Sequence, residues 1–258
     1  MPVTRTRPGP QATPAHRAVS GVLAGVDALR VHLQPIVELA TGEVWGVEAL
    51  SRFPGHPQPG PAEWFAAALR DGRGPALEQV ALRGALRVLP LLPAHVRLTV
   101  NLSAVALLQP AVQDLLVDPR VLVELTEHEQ VGDYPALGRA LATLREAGVG
   151  LCIDDFGAGH SSLAHVLHLE PDVVKLDLAL VQGVAQCPRR QALVESMLGF
   201  CRSTGAMLVA EGVETADDLA ALVSLGVGYA QGWFLARPAA PELVLMVLRR
   251  RPPVVVLP

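Results

Sequence analysis

The chain has 258 residues, is 50 % hydrophobic with a mean hydropathy of +0.35, and carries a net charge of −4. No apolar run approaches the roughly 18 residues of a membrane span, the longest stretch, Val88–Val100, being broken by Pro90, Pro93, His95 and Arg97. The acidic balance, with no basic run beyond Arg249–Arg251, argues against a partner of duplex nucleic acid.

The chain opens on Met1–Pro14, a stretch of arginines and prolines with no apolar signal core, which reads as a flexible tail. Three cysteines, Cys152, Cys187 and Cys201, show no metal-ligand spacing and suit a reducing, cytoplasmic compartment. Strand-like runs at Val31–Leu39 and Val44–Phe53 are joined only by Ala40–Glu43. That link is too short for a crossover helix, so these two strands should be antiparallel. Helical spacing follows at Pro61–Leu69 and Leu77–Leu89. Strands are then expected at Val96–Leu102, Val121–Leu125, Val149–Asp154, Val173–Leu176, Ala206–Ala210 and Val227–Gln231. Helices are expected between them at Pro135–Ala147, capped by Asp133 and stopped by Gly148, at Pro188–Ser203, and at Thr215–Leu225, which ends at Gly226. A last helix spans Pro241–Arg250. Helix-linked strands should be parallel, and eight strands in this length favour a closed (β/α)8 barrel of TIM type with an antiparallel first strand. A doubly wound sheet is the alternative. The expected domains are a tail and leading helix over residues 1–28, the barrel over 29–250, and a C-terminal tail over 251–258.

Polar residues end the apolar strands: Glu48, Asn101, Glu124, Asp154 with Asp155, Lys175, Glu211 and Gln231. In a barrel such positions converge on the C-terminal mouth, where active sites sit. Buried carboxylates gathered there repel one another unless a cation offsets them, and an oxygen-rich ligand set suits a hard divalent ion. Any one of these residues alone could be a helix cap. Lys175 is the only lysine and Asn101 the only asparagine. Arginine serves wherever a generic positive charge is wanted, so the lone lysine points to a place where a compact ammonium is required. His165 and His168 share a helical face but have no partners to complete a zinc site.

The motifs appear in this order: Gln34-Pro35-Ile36, Glu48-Ala49-Leu50 with Arg52, Asn101-Leu102-Ser103, Glu124-Leu125-Thr126-Glu127, Asp154-Asp155-Phe156-Gly157, Lys175-Leu176-Asp177, Glu211-Gly212-Val213-Glu214, and Gln231-Gly232-Trp233-Phe234 leading to Pro238. This ordered set resembles the EAL family of cyclic di-GMP phosphodiesterases. The resemblance implies two Mg²⁺ or Mn²⁺ ions and hydrolysis of cyclic di-GMP to the linear 5′-phosphorylated dinucleotide pGpG, with Ca²⁺ inhibitory. It implies one ion held by Glu48, Asn101, Glu124 and Asp154, and a second by Asp154, Asp155 and Glu211. Lys175 would act beside the attacking water, and Glu211 would be ligand or base. Glu127 and Glu214 would be supports, and Gln34, Arg52 and Gln231 would lie along the substrate. A homodimer is implied near the Asp155 loop and Leu178–Leu180.

The sequence departs from the family pattern at Ser51, expected to face the core, and at His160. It departs again at Leu178-Ala179-Leu180 and over Arg70–Pro75. Ser51 reads as a packing change, and the other three touch regulation and dimer geometry rather than the chemistry. Two other readings stand beside the phosphodiesterase: a receptor that binds without cleaving, and a different metal-dependent barrel hydrolase.

Overall fold

Strand β1 (Arg30–Glu38) turns back through Thr41 and Gly42 into β2 (Val44–Arg52). Gly42 takes φ +73°, a left-handed turn conformation that costs glycine little, and the Thr41 hydroxyl donates to Glu38 Oε2 at 2.7 Å. The computed structural model describes residues 14–25, 29–53, 60–126, 131–157 and 162–249. The expected N-terminal and C-terminal tails, together with Glu127, His160 and Ser161, lie wholly or largely outside the described residues. Six further strands follow: β3 (Arg97–Asn101), β4 (Val121–Thr126), β5 (Gly150–Phe156), β6 (Val173–Leu176), β7 (Met207–Ala210) and β8 (Tyr229–Ala230). They close in sequence order into a barrel. β1 runs antiparallel to both β2 and β8, and every other neighbouring pair is parallel. The closed barrel, not the open sheet, is the architecture.

Helix α1 (Pro14–Leu23) precedes the barrel. Around the barrel lie α2 (Pro61–Arg70), α3 (Gly74–Leu86), α4 (Ala104–Leu107), α5 (Pro110–Gln113), α6 (Tyr134–Glu146), α7 (Ser162–Leu169), α8 (Leu178–Val181), α9 (Pro188–Thr204), α10 (Ala216–Leu225) and α11 (Pro241–Arg249). Asp133 caps α6 by accepting from the Ala136 amide, and Thr215 caps α10, as its sequence suggests. Helix α3 begins three residues earlier than apolar spacing indicates. Pro75 presets the helical φ at its first turn, so the helix starts before its first apolar contact at Leu77. It also stops earlier, at Leu86, before a 3₁₀ turn, Leu89–Leu91, built on Pro90.

The main core lies between the strands and the outer helices. A second cluster is separate: Val19 and Val22 of α1, Phe53, Trp64 and Ala68 of α2, and Leu77 of α3. Phe53 and Trp64 stack at 4.3 Å with planes 2° apart. Among the described residues no helix is long and apolar enough to cross a membrane.

The loops that follow β6 and β7 are tied by one carboxylate. Buried Asp218 accepts from the amides of Gly183 (3.1 Å) and Ala185 (3.2 Å) and from the Thr215 hydroxyl (2.8 Å). Burial pushes its pKa up, but these donors outweigh it and the net shift is downward. A depressed folded-state pKa gives stability that is present above the unfolded value and lost as pH falls through the folded one. Asp218→Asn should therefore destabilise the protein by about 1.5–3 kcal/mol at neutral pH. Urea unfolding across a pH series should show the gap to the parent closing below roughly pH 4.

Candidate active site

Strand alternation puts Glu48, Asn101, Glu124, Asp154 and Lys175 on the inner face, and parallel pairing gathers them toward one end of the barrel. Pairing puts Asn101 beside Glu124. The register between β5 and β6 shifts between Ile153 and Phe156, and Asp155 adopts φ 55°. Aspartate tolerates this left-handed conformation better than most residues. The irregularity re-aims the strand end, and carboxylate oxygens of Asp154, Asp155 and Glu211 come within 4.8 Å of one another. At Gly212 a Cβ would collide with Leu178, and at Gly232 with the Val213 backbone, so both loop glycines are fixed by close packing at the mouth.

Lys175 stands at the centre, 1 % exposed. Its Nζ lies 2.7 Å from Glu211, 3.0 Å from Glu124, 3.3 Å from Asp154 and 3.4 Å from Glu48. Burial alone would lower its pKa, but the charges of Asp154, Glu124, Glu211 and Glu48 hold it well above the ordinary value. Burial also pushes Glu124 up to about 8, with Lys175 pulling it down and Glu48 and Asp154 adding to the rise. The Glu211 carboxyl is likewise pushed well up, first by burial and then by the neighbouring acids, against Lys175.

An ammonium has three protons. It cannot satisfy four carboxylates and leaves Asp155 besides. Glu124 Oε1 and Asp154 Oδ1 are buried against the shared lysine, and the Thr99 hydroxyl is the other donor to Glu124. The site thus presents inward-facing oxygens that only a cation would complete. That donor set fits Mg²⁺ or Mn²⁺. Neutral groups frame it. Asn101 Nδ2 donates to Glu48 Oε1 at 3.1 Å, and Gln231 Nε2 donates to Glu48 Oε2 at 2.6 Å and to Gln34 Oε1 at 3.0 Å. Gln34 Nε2 in turn donates to the Ala236 carbonyl.

Two cavities flank the acids and share Glu48, Leu50, Asp154 and Asp155 on their walls. One, of about 400 Å³, runs along Arg52, Phe65, Leu82 and Asn101. The other, of about 320 Å³, runs along Gln34, Gln182, Glu211, Glu214 and Trp233. The structure therefore brings together Gln34, Glu48, Arg52, Asn101, Glu124, Asp154, Asp155, Lys175, Glu211, Glu214 and Gln231. Glu214 is exposed on the wall of the second cavity. Glu127 lies outside the described residues. Ser51, expected to face the core, is instead half-buried at the edge of the first cavity, and its carbonyl accepts from Arg52 Nη1. Sequence reading passed over Thr99. It sits two residues before Asn101 on β3, and its buried hydroxyl bonds the Glu124 carboxylate and pulls that group's pKa down. Strand alternation from Asn101 is the signal that marks it as inward-facing.

The family model of the EAL domain matches residues 22–238. A Pseudomonas aeruginosa protein named cyclic di-GMP phosphodiesterase PA2567 is 32 % identical over 248 residues, covering 90 % of this chain and 42 % of that protein. The cyclic di-GMP phosphodiesterase NbdA of the same organism is 33 % identical over 228 residues, 82 % of this chain and 29 % of that protein. The chain thus spans less than half the length of these relatives. Among solved structures, the PaMucR phosphodiesterase in complex with c-di-GMP has a TM-score of 0.78 at 30 % identity, covering 89 % of this chain and 99 % of that one. The Klebsiella pneumoniae BlrP1 manganese/cy-diGMP complex at pH 6 has a TM-score of 0.72 at 34 % identity, covering 82 % of this chain and 56 % of that one.

Lys175→Met removes the one cation that holds the acids together. In a chelated protein this leaves uncompensated buried charge, and the expected loss is about 3–5 kcal/mol. Urea unfolding in the presence of chelator measures it. An unchanged midpoint would mean that the acids do not depend on the lysine for their compensation.

Proposed function

The chain belongs to the EAL domain family, and from that premise we propose that it hydrolyses cyclic di-GMP to linear pGpG with divalent metal ions. The observation that carries the reading is the set of carboxylates converging on one buried lysine, more acids than its three protons can satisfy, set between two cavities. A cyclic dinucleotide has two bases on either side of its phosphates, and a charged centre with a cavity on each flank suits that shape. The activity that the relatives' names give agrees with the chemistry of this donor set.

Glu48, Asn101, Glu124 and Asp154 would hold one ion, and Asp154, Asp155 and Glu211 the second. When bound, such ions lower the pKa of water and offset charge on the attacked phosphate. The rest falls to the chain's own groups. Arg52, at the wall of the first cavity, orients a phosphate by paired N–H donors. Gln34 and Gln231, already linked to each other, present amides along the second. Lys175 supplies positive charge, and a proton, where negative charge develops. Glu211 is a ligand or takes the proton of the attacking water. Water attacks phosphorus, the bond to the 3′ oxygen breaks, and the 5′-phosphate stays on the product. Glu127 and Glu214 are proposed as supports of the loops.

We place this reaction in the cytoplasm, supported by three cysteines that are all free of disulfides. The barrel is proposed to span residues 29–250, with tails outside it. A homodimer through α7 and Leu178–Leu180 is supported by the exposure of Leu167 and Leu178.

The direct test is incubation with cyclic di-GMP and Mg²⁺ or Mn²⁺, with products resolved by chromatography. The expected product is pGpG. Ca²⁺ should bind and inhibit, because its larger, irregular coordination misplaces the reacting groups. Full turnover after exhaustive chelation would overturn the metal requirement.

Lys175→Arg separates a generic charge from a fitted ammonium. The planar guanidinium is wider and does not surrender a proton. Turnover should fall by roughly 100-fold or more, with little change in substrate affinity, since the lysine acts mainly on charge developed in the transition state. Single-turnover kinetics and a binding titration on one preparation decide it. A variant within a few-fold of the parent removes Lys175 from the reaction.

A further inference from the structure

Helix α3 lies outside the barrel, yet it grips the loop that carries Asn101. Glu78, one turn into the helix, accepts from the Ser103 amide at 2.7 Å and from the Ser103 hydroxyl at 3.0 Å. Ser103 Oγ also accepts from the Ala106 amide at 3.1 Å and so caps α4. One carboxylate therefore fixes both donors of the residue two places beyond Asn101, at the point where β3 leaves the barrel. Asn101 then donates to Glu48, which also lies 3.4 Å from Lys175. Leu102 between them is buried, and its amide is bonded to the Glu124 carbonyl, so the turn has few ways to relax.

This arrangement costs something. Burial pushes the Glu78 carboxyl upward, and the Ser103 amide and hydroxyl pull it back. A solvent-facing helix position would carry a glutamate without that cost. In the described structure no arginine or lysine pairs with Glu78, so its bonds to Ser103 are what it gains from being there.

We propose that Glu78 is a positioning residue for the metal centre, acting through Ser103 to hold Asn101 at the distance from Glu48 that ion binding requires. Outer-shell groups of this kind typically change metal affinity by about 10–100-fold. Glu78 touches neither ion nor substrate. The same helix lines the first cavity through Ala81, Leu82 and Ala85, so one rigid element sets both the cavity wall and the ligand loop. The inference rests on the reading of Glu48 and Asn101 as ligands of one ion.

The test is Mn²⁺ titration of the full chain by calorimetry, with no substrate present, alongside urea unfolding of each variant. Glu78→Asp keeps the charge but withdraws the carboxylate by one methylene, and should weaken Mn²⁺ binding by roughly 10-fold or more. Glu78→Gln keeps the length and can still accept from the Ser103 amide while donating to its hydroxyl, and should bind within a few-fold of the parent. Gln79→Ala is the control. Gln79 sits on the same helix and bonds the Ala111 carbonyl at 3.1 Å, away from the acids. It should lower stability without moving Mn²⁺ affinity. Glu78→Asp binding Mn²⁺ as the parent does would overturn the role of Glu78 alone. A parent that binds no Mn²⁺ would overturn it together with the reading on which it rests.

Discussion

The site depends on a lysine that is buried because four carboxylates surround it. An isolated buried ammonium would lose its proton. Here the acids reverse that tendency and keep Lys175 charged, while the lysine in turn keeps the nearest acids from repelling one another apart. Two like charges about 4 Å apart in partly screened protein cost on the order of 4 kcal/mol. The cluster persists without ions only because one compact cation lies within reach of four acids at once. A guanidinium could pair well with one carboxylate, but its planar fork does not converge on four. This geometric demand explains why a chain that otherwise relies on arginine has a lysine at residue 175.

The barrel is what makes such convergence possible. Glu48, Asn101, Glu124, Asp154 and Lys175 come from five successive strands, and parallel pairing delivers each strand end to the same rim. The antiparallel first strand contributes differently. Its Gln34 reaches the site from mid-strand, paired with Glu48 across β2 and linked to Gln231 after β8. The hairpin thus seals the barrel and places a polar amide beside the acids by the same register.

Much of this was legible in the sequence because strand ends are marked by a change from apolar to polar. Glu48, Asn101, Glu124 and Lys175 each end or interrupt a β-rich run, and the structure gathers them. The short link at Gly42 gave the antiparallel start for a simple reason of length. What periodicity could not give was anything set by backbone irregularity or by contacts across layers. The left-handed Asp155 is a feature of the register shift between β5 and β6, which no local pattern marks. Helix α3 was misplaced because its first turn is defined by Gly74-Pro75 and not by an apolar residue. Glu78 went unnoticed for a related reason. On a helix surface a glutamate is ordinary, and only the fold shows that it faces the Asn101 loop. Ser51 was assigned to the core by alternation, but strand β2 ends beside a cavity, so both of its faces border open space there.

Three hydrophobic clusters divide the labour of holding the site, one of them, Ile36, Leu122, Cys152, Val173 and Val209, lying two residues along the strands from Gln34, Glu124, Asp154, Lys175 and Glu211. Lys175, Glu124 and Asp154 sit on strands packed into the main core, where a shift of any one strand would disturb its neighbours in the ladder. One side of the first cavity, through Phe65, rests on the cluster that α1 completes. Phe53 directly follows Arg52 and stacks on Trp64, and Val19 and Val22 of α1 close the same cluster. Arg73, just before α3, also bonds Ser20 of α1 at 2.8 Å. The acids are therefore anchored by the barrel, whereas the Phe53 and Trp64 side of the first cavity also packs on a helix that precedes it. Because packed clusters resist continuous deformation, α1 adds a second support beside the first cavity.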